Sequence, residues 1–216
     1  MEDVIEILTS CVVLNGENAS QLIHANILPM VVVVDSAKCS KEKLDFLTQF
    51  CDEYIKDRVS RLVSVRERAN SVVGNVLRKW LIKKHFGVNF CDQRVAFEKD
   101  GKPYLENHDG IHFNISHSGT MVVCVVHDRP IGVDVQKIVE YKPKVADYIF
   151  DENEKQAIAT SKDKDWEFSR LWAEKESKIK LLGCGVAKHK GKKMSGIRTK
   201  STEINGYCLS YSVFEN

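Results

Sequence analysis

The sequence predicts an α+β fold built of two similar halves, and three observations carry that reading. Two β-branched runs, residues 31–35 and 131–136, each lead through helical periodicity to a long amphipathic helix and then to strand-like segments. The order of elements therefore repeats, although no residue-by-residue repeat accompanies it. A turn at Asp128-Arg129-Pro130 separates the halves, giving an N-terminal one over 1–127 and a C-terminal one over 128–216. With 216 residues, 43% of them hydrophobic, the chain has enough apolar material for a sizeable core.

Taken in order, residues 4–14 fit either a strand or a short helix, and 31–35 is a strand. Ser40 stands three residues before Lys43 and opens a helical pattern in which Leu44, Leu47, Phe50, Cys51, Tyr54 and Ile55 recur at i, i+3 and i+4. A longer helix is expected from an Asn70 N-cap to a Gly87 C-cap. It has Val72, Val73, Val76, Leu77, Trp80 and Leu81 on one face and Arg78, Lys79, Lys83 and Lys84 opposite. Short strands follow at 94–98 and 112–116, either side of a turn at 100–103, then a buried strand at 121–126 and another at 131–136. Helical periodicity returns after Pro143. A long helix runs from about Trp166 to Leu182, closed by Gly183 and Gly185, and the tail alternates like strands, most clearly at Tyr207, Leu209, Tyr211 and Val213.

Composition excludes several classes. Lys plus Arg (32) nearly balances Asp plus Glu (30), so no global field marks a nucleic-acid binder. The longest unbroken apolar runs, 27–34 and 121–126, are far short of a membrane span. The seven cysteines (11, 39, 51, 91, 124, 184 and 208) are odd in number and widely spread, which argues against a disulfide framework and a structural zinc site. The start, Met1-Glu2-Asp3, is acidic where a secretory signal is basic. A reduced, cytoplasmic protein is expected.

Chemistry-bearing residues collect in two places. If the three strands of 112–136 pair in chain order, Ser116, His117 and Asp134 share one sheet edge, next to Gly119, which would admit a ligand closely. The period of two puts Ile131, Val133 and Val135 on one face of the last strand and Gly132, Asp134 and Gln136 on the other. On the long helix, Trp172, Glu176 and Lys180 stack at i, i+4 and i+8. Alone, a Glu–Lys pair at that spacing is ordinary surface stabilisation of about 0.2–0.5 kcal/mol.

Together the segments say more. Gly101-Lys102-Pro103, then His112-Phe-Asn-Ile-Ser-His-Ser-Gly119, Ile131-Gly-Val-Asp134 and Trp172-x-x-Lys-Glu176-Ser-x-x-Lys180 closely resemble the Sfp-type 4′-phosphopantetheinyl transferases. The resemblance runs from about residue 56 to about 185, and the first thirty residues carry none of it. It implies two similar halves with the active site between them. It also implies transfer of the phosphopantetheine arm of coenzyme A to a serine of an acyl or peptidyl carrier protein, with release of adenosine 3′,5′-bisphosphate. Mg²⁺ is the implied cofactor, with Mn²⁺ the alternative, held by Asp134 and Glu176. Glu176 doubles as base for the serine proton, and Lys180 faces the leaving phosphate. Ser116 and His117 match positions that hold coenzyme A phosphates, and Lys102 with Pro103 matches the segment lining the adenine end. Glu154 matches a further acidic position near the site. Basic residues among Lys56, Arg58, Arg61, Arg66 and Arg68 would clamp the 3′-phosphate. In bacterial relatives a second acid follows the metal-binding Asp by two residues; here that position is Gln136, whose amide oxygen can ligate the ion without charge, or a water fills the place instead. A monomer is implied, since the two halves already make the cleft. The basic run 188–193 reads as a solvated loop. Two other functions are weighed: a non-catalytic binder of coenzyme A or a carrier protein, and a serine hydrolase using Ser116, His117 and Asp134.

Overall fold

Valine-rich runs whose side chains alternate between two buried faces set the architecture. The structure is a computed structural model and describes residues 2–11, 29–183 and 194–215. Strands β1 (Met30–Asp35), β4 (His112–Ser118) and β5 (Met121–His127) form an antiparallel sheet in the order β1-β5-β4. Strands β6 (Ile131–Lys137), β7 (Ile197–Ile204) and β8 (Tyr207–Phe214) form a second, ordered β6-β8-β7. A small hairpin pairs β2 (Val95–Phe97) with β3 (Pro103–Leu105). The helices are α1 (Glu2–Cys11), α2 (Lys41–Thr48), α3 (Glu53–Arg61), α4 (Val65–Phe86), α5 (Pro143–Ile149), α6 (Glu152–Thr160) and α7 (Lys164–Leu182). Among the described residues no helix is long and apolar enough to cross a membrane.

The two halves are alike in topology: one strand, helices, then a hairpin whose second strand pairs back onto the first. Register carries the likeness further. Asp35 pairs with Met121 as Lys137 pairs with Tyr207. One residue on, Ser36 N–H donates to Thr120 O at 2.9 Å and Ile138 N–H to Gly206 O at 3.0 Å.

Burial follows the alternation. Val122, Cys124 and Val126 face α4, whereas Met121, Val123 and Val125 meet Ile131, Val133 and Val135 of the second sheet. A strand buried on both faces has no polar positions to show, which is why 121–126 reads as an unbroken apolar run. On the outer face of β6, helix α7 crosses at Gly132. A Cβ there would stand 2.1 Å from Ser177 O and 2.4 Å from Leu181 N, so only glycine lets the helix lie this close.

Several expectations need correction. Helix α4 starts at Val65, where Ser64 accepts from Glu67 N–H; Asn70 is buried inside it, accepting from Ser36 Oγ (2.6 Å) and donating to Gly119 O (3.0 Å). Arg78 and Lys79 do not line a solvent face. Both are buried, each 2.8 Å from the Asp52 carboxylate. That same carboxylate also accepts from Asn75 Nδ2, so Asp52 precedes α3 without capping it through its side chain. The single helical pattern over 44–55 is accordingly two helices, α2 and α3. β3 has no counterpart among the expected strands because it opens on a proline, and the strand-like tail consists of two strands, β7 and β8. The ambiguous N-terminal stretch is helical over Glu2–Cys11. Gly87 and Gly183 end their helices at φ 73° and 69°, as expected of left-handed C-caps. Gly185 and the basic run 188–193 lie outside the described residues.

Candidate active site

The seam between the halves is a side-chain zipper. β4 and β6 lie side by side and parallel, in different sheets: β4 pairs with β5 as chain order suggests, whereas β6 pairs with β8. Asn114, Ser116 and Ser118 all leave β4 on one side, and their oxygens accept from Val133, Val135 and Lys137 N–H at 3.0, 3.4 and 3.1 Å. Three N–H groups of β6 are thereby satisfied by side chains. Asn114 and Ser118 belong to this seam and were not singled out from the sequence; the polar alternation in Phe-Asn-Ile-Ser-His-Ser is the signal that marks them.

Ser116 and Asp134 do meet, by this route. Ser116 Oγ donates to Asp134 Oδ1 at 2.6 Å, and both residues are buried. From α7, Lys180 Nζ reaches Asp134 Oδ1 at 2.6 Å and Ser116 Oγ at 2.8 Å. Lys180 therefore pairs across the seam with Asp134 in place of the within-helix Glu176–Lys180 pair that spacing suggests. Glu176 lies one turn before Lys180 on the same side, half-buried. Burial and the Asp134 charge push its carboxyl above the ordinary carboxylate range, against the pull of Lys180. Two carboxylates thus feel each other across the seam, with one ammonium between the halves.

Most of the remaining candidates are held by partners of their own. The His117 ring leaves β4 on the side opposite Ser116, and no hydrogen bond joins the two. Its pKa is lowered by burial of the ring and by the Lys180 and Arg58 charges, with Glu67 and Asp134 opposing. Arg58 is thus near enough for its charge to register on His117. Lys56 pairs with Glu53 at 2.8 Å, and Arg61 with Asp57. Lys102 Nζ donates to Leu181 O at 2.7 Å, and Lys102, Pro103, Asn114, Ile115 and Lys180 share the wall of a cavity of about 290 Å³. A cavity of about 600 Å³ opens between α2, α3 and α4 with Lys56 and Arg68 in its wall; it takes in none of Asp134, Glu176 or Lys180. Gln136 shares the α7-facing side of β6, with Nε2 donating to Lys137 O at 3.2 Å. Glu154 closes the Asp151 capping box and pairs with Lys175 at 2.8 Å. Gly119, at φ 58°, lets the Tyr207 hydroxyl approach, which would stand 2.6 Å from a Cβ there; the close neighbour is protein.

Comparison with known proteins covers the whole stretch that builds this seam. Residues 37–129 match the family model described as "4′-phosphopantetheinyl transferase, N-terminal", and residues 130–212 match "4′-phosphopantetheinyl transferase superfamily". The two matches abut at the β5–β6 turn. The chain is 32% identical over 164 residues to 4′-phosphopantetheinyl transferase gsp of Aneurinibacillus migulanus, covering 74% of this chain and 67% of that protein. It is 30% identical over 151 residues to 4′-phosphopantetheinyl transferase Sfp of Bacillus subtilis, strain 168, covering 68% and 67%. With the L-aminoadipate-semialdehyde dehydrogenase-phosphopantetheinyl transferase of Xenopus laevis it shares 29% identity over 150 residues. The chain belongs to the Sfp-type 4′-phosphopantetheinyl transferase family and is a transferase of that kind.

Proposed function

We propose that the protein moves the 4′-phosphopantetheine arm of coenzyme A to a serine hydroxyl of an acyl or peptidyl carrier protein, with Mg²⁺, releasing adenosine 3′,5′-bisphosphate. The observation that carries this reading is the convergence of Asp134, Glu176 and Lys180 at the seam.

The donor set fits a hard divalent ion. Asp134 and Glu176 offer carboxylate oxygens; burial first and the Asp134 charge second raise the Glu176 pKa, and a cation would relieve both. Among the described residues no group of three or more His, Cys, Asp and Glu side chains gathers. With Gln136 where an acid stands in bacterial relatives, the rest of the shell falls to phosphate oxygens, water or that amide. Bound there, Mg²⁺ supplies charge neutralisation for a diphosphate.

The chain's own groups do the rest. Glu176, held less acidic than a free carboxyl, accepts the proton of the incoming serine hydroxyl, help worth about 10²–10⁴ in rate. Lys180 is a fixed cation for the departing phosphate, oriented by Ser116. His117 with Arg58 holds the ribose phosphate, and Lys102 with Pro103 lines the nucleotide end of the smaller cavity. Positioning of this kind suits a reaction whose cost is orientation and charge.

The serine-hydrolase reading lacks its first requirement: Ser116 Oγ donates to Asp134, not to His117. The test is direct. Apo carrier protein, coenzyme A and Mg²⁺ are incubated with the protein and the carrier is weighed. Gain of one phosphopantetheine mass on its serine supports the reading; an unchanged carrier, with coenzyme A merely bound, supports the non-catalytic binder.

A further inference from the structure

Helix α1 is the one described helix outside the residues matched by the family models. It ends on Cys11, whose Sγ lies 3.3 Å from Sγ of Cys39, at the end of the turn Ser36–Lys38. Both thiols are buried and neither is in a disulfide. A short polar chain connects the pair to the surface: Cys11 Sγ is 3.7 Å from Ser10 Oγ, which accepts from Lys43 Nζ at 3.3 Å. Ser10 is exposed.

The two sulfurs are not equivalent. Hydrogen bonding from the Cys39 thiol, with the Lys43 and Lys38 charges, draws Cys11 down to about 6 against the effect of burial, and the same bond pushes Cys39 up. The bond leaves one proton shared between the two sulfurs, and Cys11, linked through Ser10 to the Lys43 ammonium, is the one placed to act as the nucleophilic thiolate, with Cys39 as the resolving thiol.

We propose that Cys11 and Cys39 form a dithiol site that reduces a hydroperoxide and closes to an intramolecular disulfide, fastening α1 to the segment between β1 and α2. Cys11 thiolate attacks the outer peroxide oxygen. The O–O bond breaks, the leaving oxygen takes a proton and departs as water or an alcohol, and Cys11 is left as a sulfenic acid. Cys39 Sγ then attacks Cys11 Sγ. The S–S bond forms and the sulfenic oxygen leaves as water with the Cys39 proton. Two electrons pass from the sulfurs to the peroxide, and a thiol reductant returns them. The reaction uses no residue of the transferase site, so it stands or falls independently of the function proposed above.

The full chain is treated with hydrogen peroxide, blocked with N-ethylmaleimide, digested and analysed by mass spectrometry. The expected product is one peptide pair joined through Cys11 and Cys39, two hydrogens lighter than its parts. A phosphine reductant should undo it. The urea midpoint should rise on oxidation and fall back on reduction. In Cys39→Ser the link is lost and Cys11 stops at sulfenic or sulfinic acid, while Cys91→Ser, removing an exposed thiol, leaves the yield unchanged. Recovery of Cys11 and Cys39 as maleimide adducts while Cys91 is oxidised overturns the proposal, as does a link that forms only in urea.

Discussion

Lys180 Nζ stands 2.6 Å from Asp134 Oδ1, so the buried carboxylate of β6 carries a cation supplied by α7. A divalent ion at Asp134 must share that oxygen's field with the ammonium. Replacing Lys180 by Met removes the competitor. Mn²⁺ binding without coenzyme A, followed by electron paramagnetic resonance at neutral pH, is expected to tighten by about tenfold, equivalent to about 1.4 kcal/mol. Transfer is expected to slow by about 10² or more as the leaving phosphate loses its cation. Weaker Mn²⁺ binding in the variant would contradict this relation.

Glu176 makes the metal-free fold pH-dependent. Its pKa is raised in the folded chain by burial and by Asp134, so the folded state holds the proton to higher pH than the unfolded chain. Stability from this group is therefore fully present below its ordinary value and is lost as pH rises through the folded pKa. In EDTA at pH 7, Glu176→Gln should melt higher than the native protein, on a scale of about 2–4 °C per kcal/mol relieved. The gap should shrink near pH 4, where Glu176 is itself protonated. A variant that melts lower at pH 7 speaks against the assigned repulsion.

Gly132 fixes how closely α7 lies on β6. Ala at this position puts a methyl against backbone atoms of Ser177 and Leu181 that no side-chain rotation can clear. A loss of about 1–3 kcal/mol or more is expected in urea unfolding. Transfer should fall further than in a surface variant of equal stability, because Lys180 is displaced from Asp134. Native-like stability and rate would show that the helix has room to spare.

Asp52 tests the first half independently. Its carboxylate answers two buried cations, Arg78 and Lys79, and removing it leaves both uncompensated. Asp52→Ala should cost about 3–5 kcal/mol of unfolding free energy. The coenzyme A affinity of molecules still folded should be unchanged. A loss under 1 kcal/mol would mean that water reaches the pair.

Much of this was legible in the sequence because period and capping are local. The strand at 31–35, the Gly87 and Gly183 caps and the face shared by Gly132, Asp134 and Gln136 follow from spacing and backbone geometry alone. What was hidden depends on partners distant in the chain. Arg78 and Lys79 look like a solvent face until Asp52, some 26 residues earlier, is seen to neutralise them. Asn70 looks like a cap until Ser36 and Gly119 close around it. The seam shows the same limit: Ser116 and Asp134 converge as expected, but through side chains of β4 serving backbone N–H groups of β6, a pairing that strand periodicity does not encode. The recognisable motif segments held the residues that meet at the seam; the Lys180–Asp134 pair became visible only in three dimensions.

The central claim is that Asp134 and Glu176 act as one cation-binding, proton-accepting pair. Its most direct measurement is the rate of phosphopantetheine mass gain on an apo carrier protein for the native chain, Asp134→Asn and Glu176→Gln across a Mg²⁺ titration. Both variants should remain folded and lose at least about 10² in rate, and Asp134→Asn should need more Mg²⁺ for what remains. Transfer at the native rate by either variant would contradict the account.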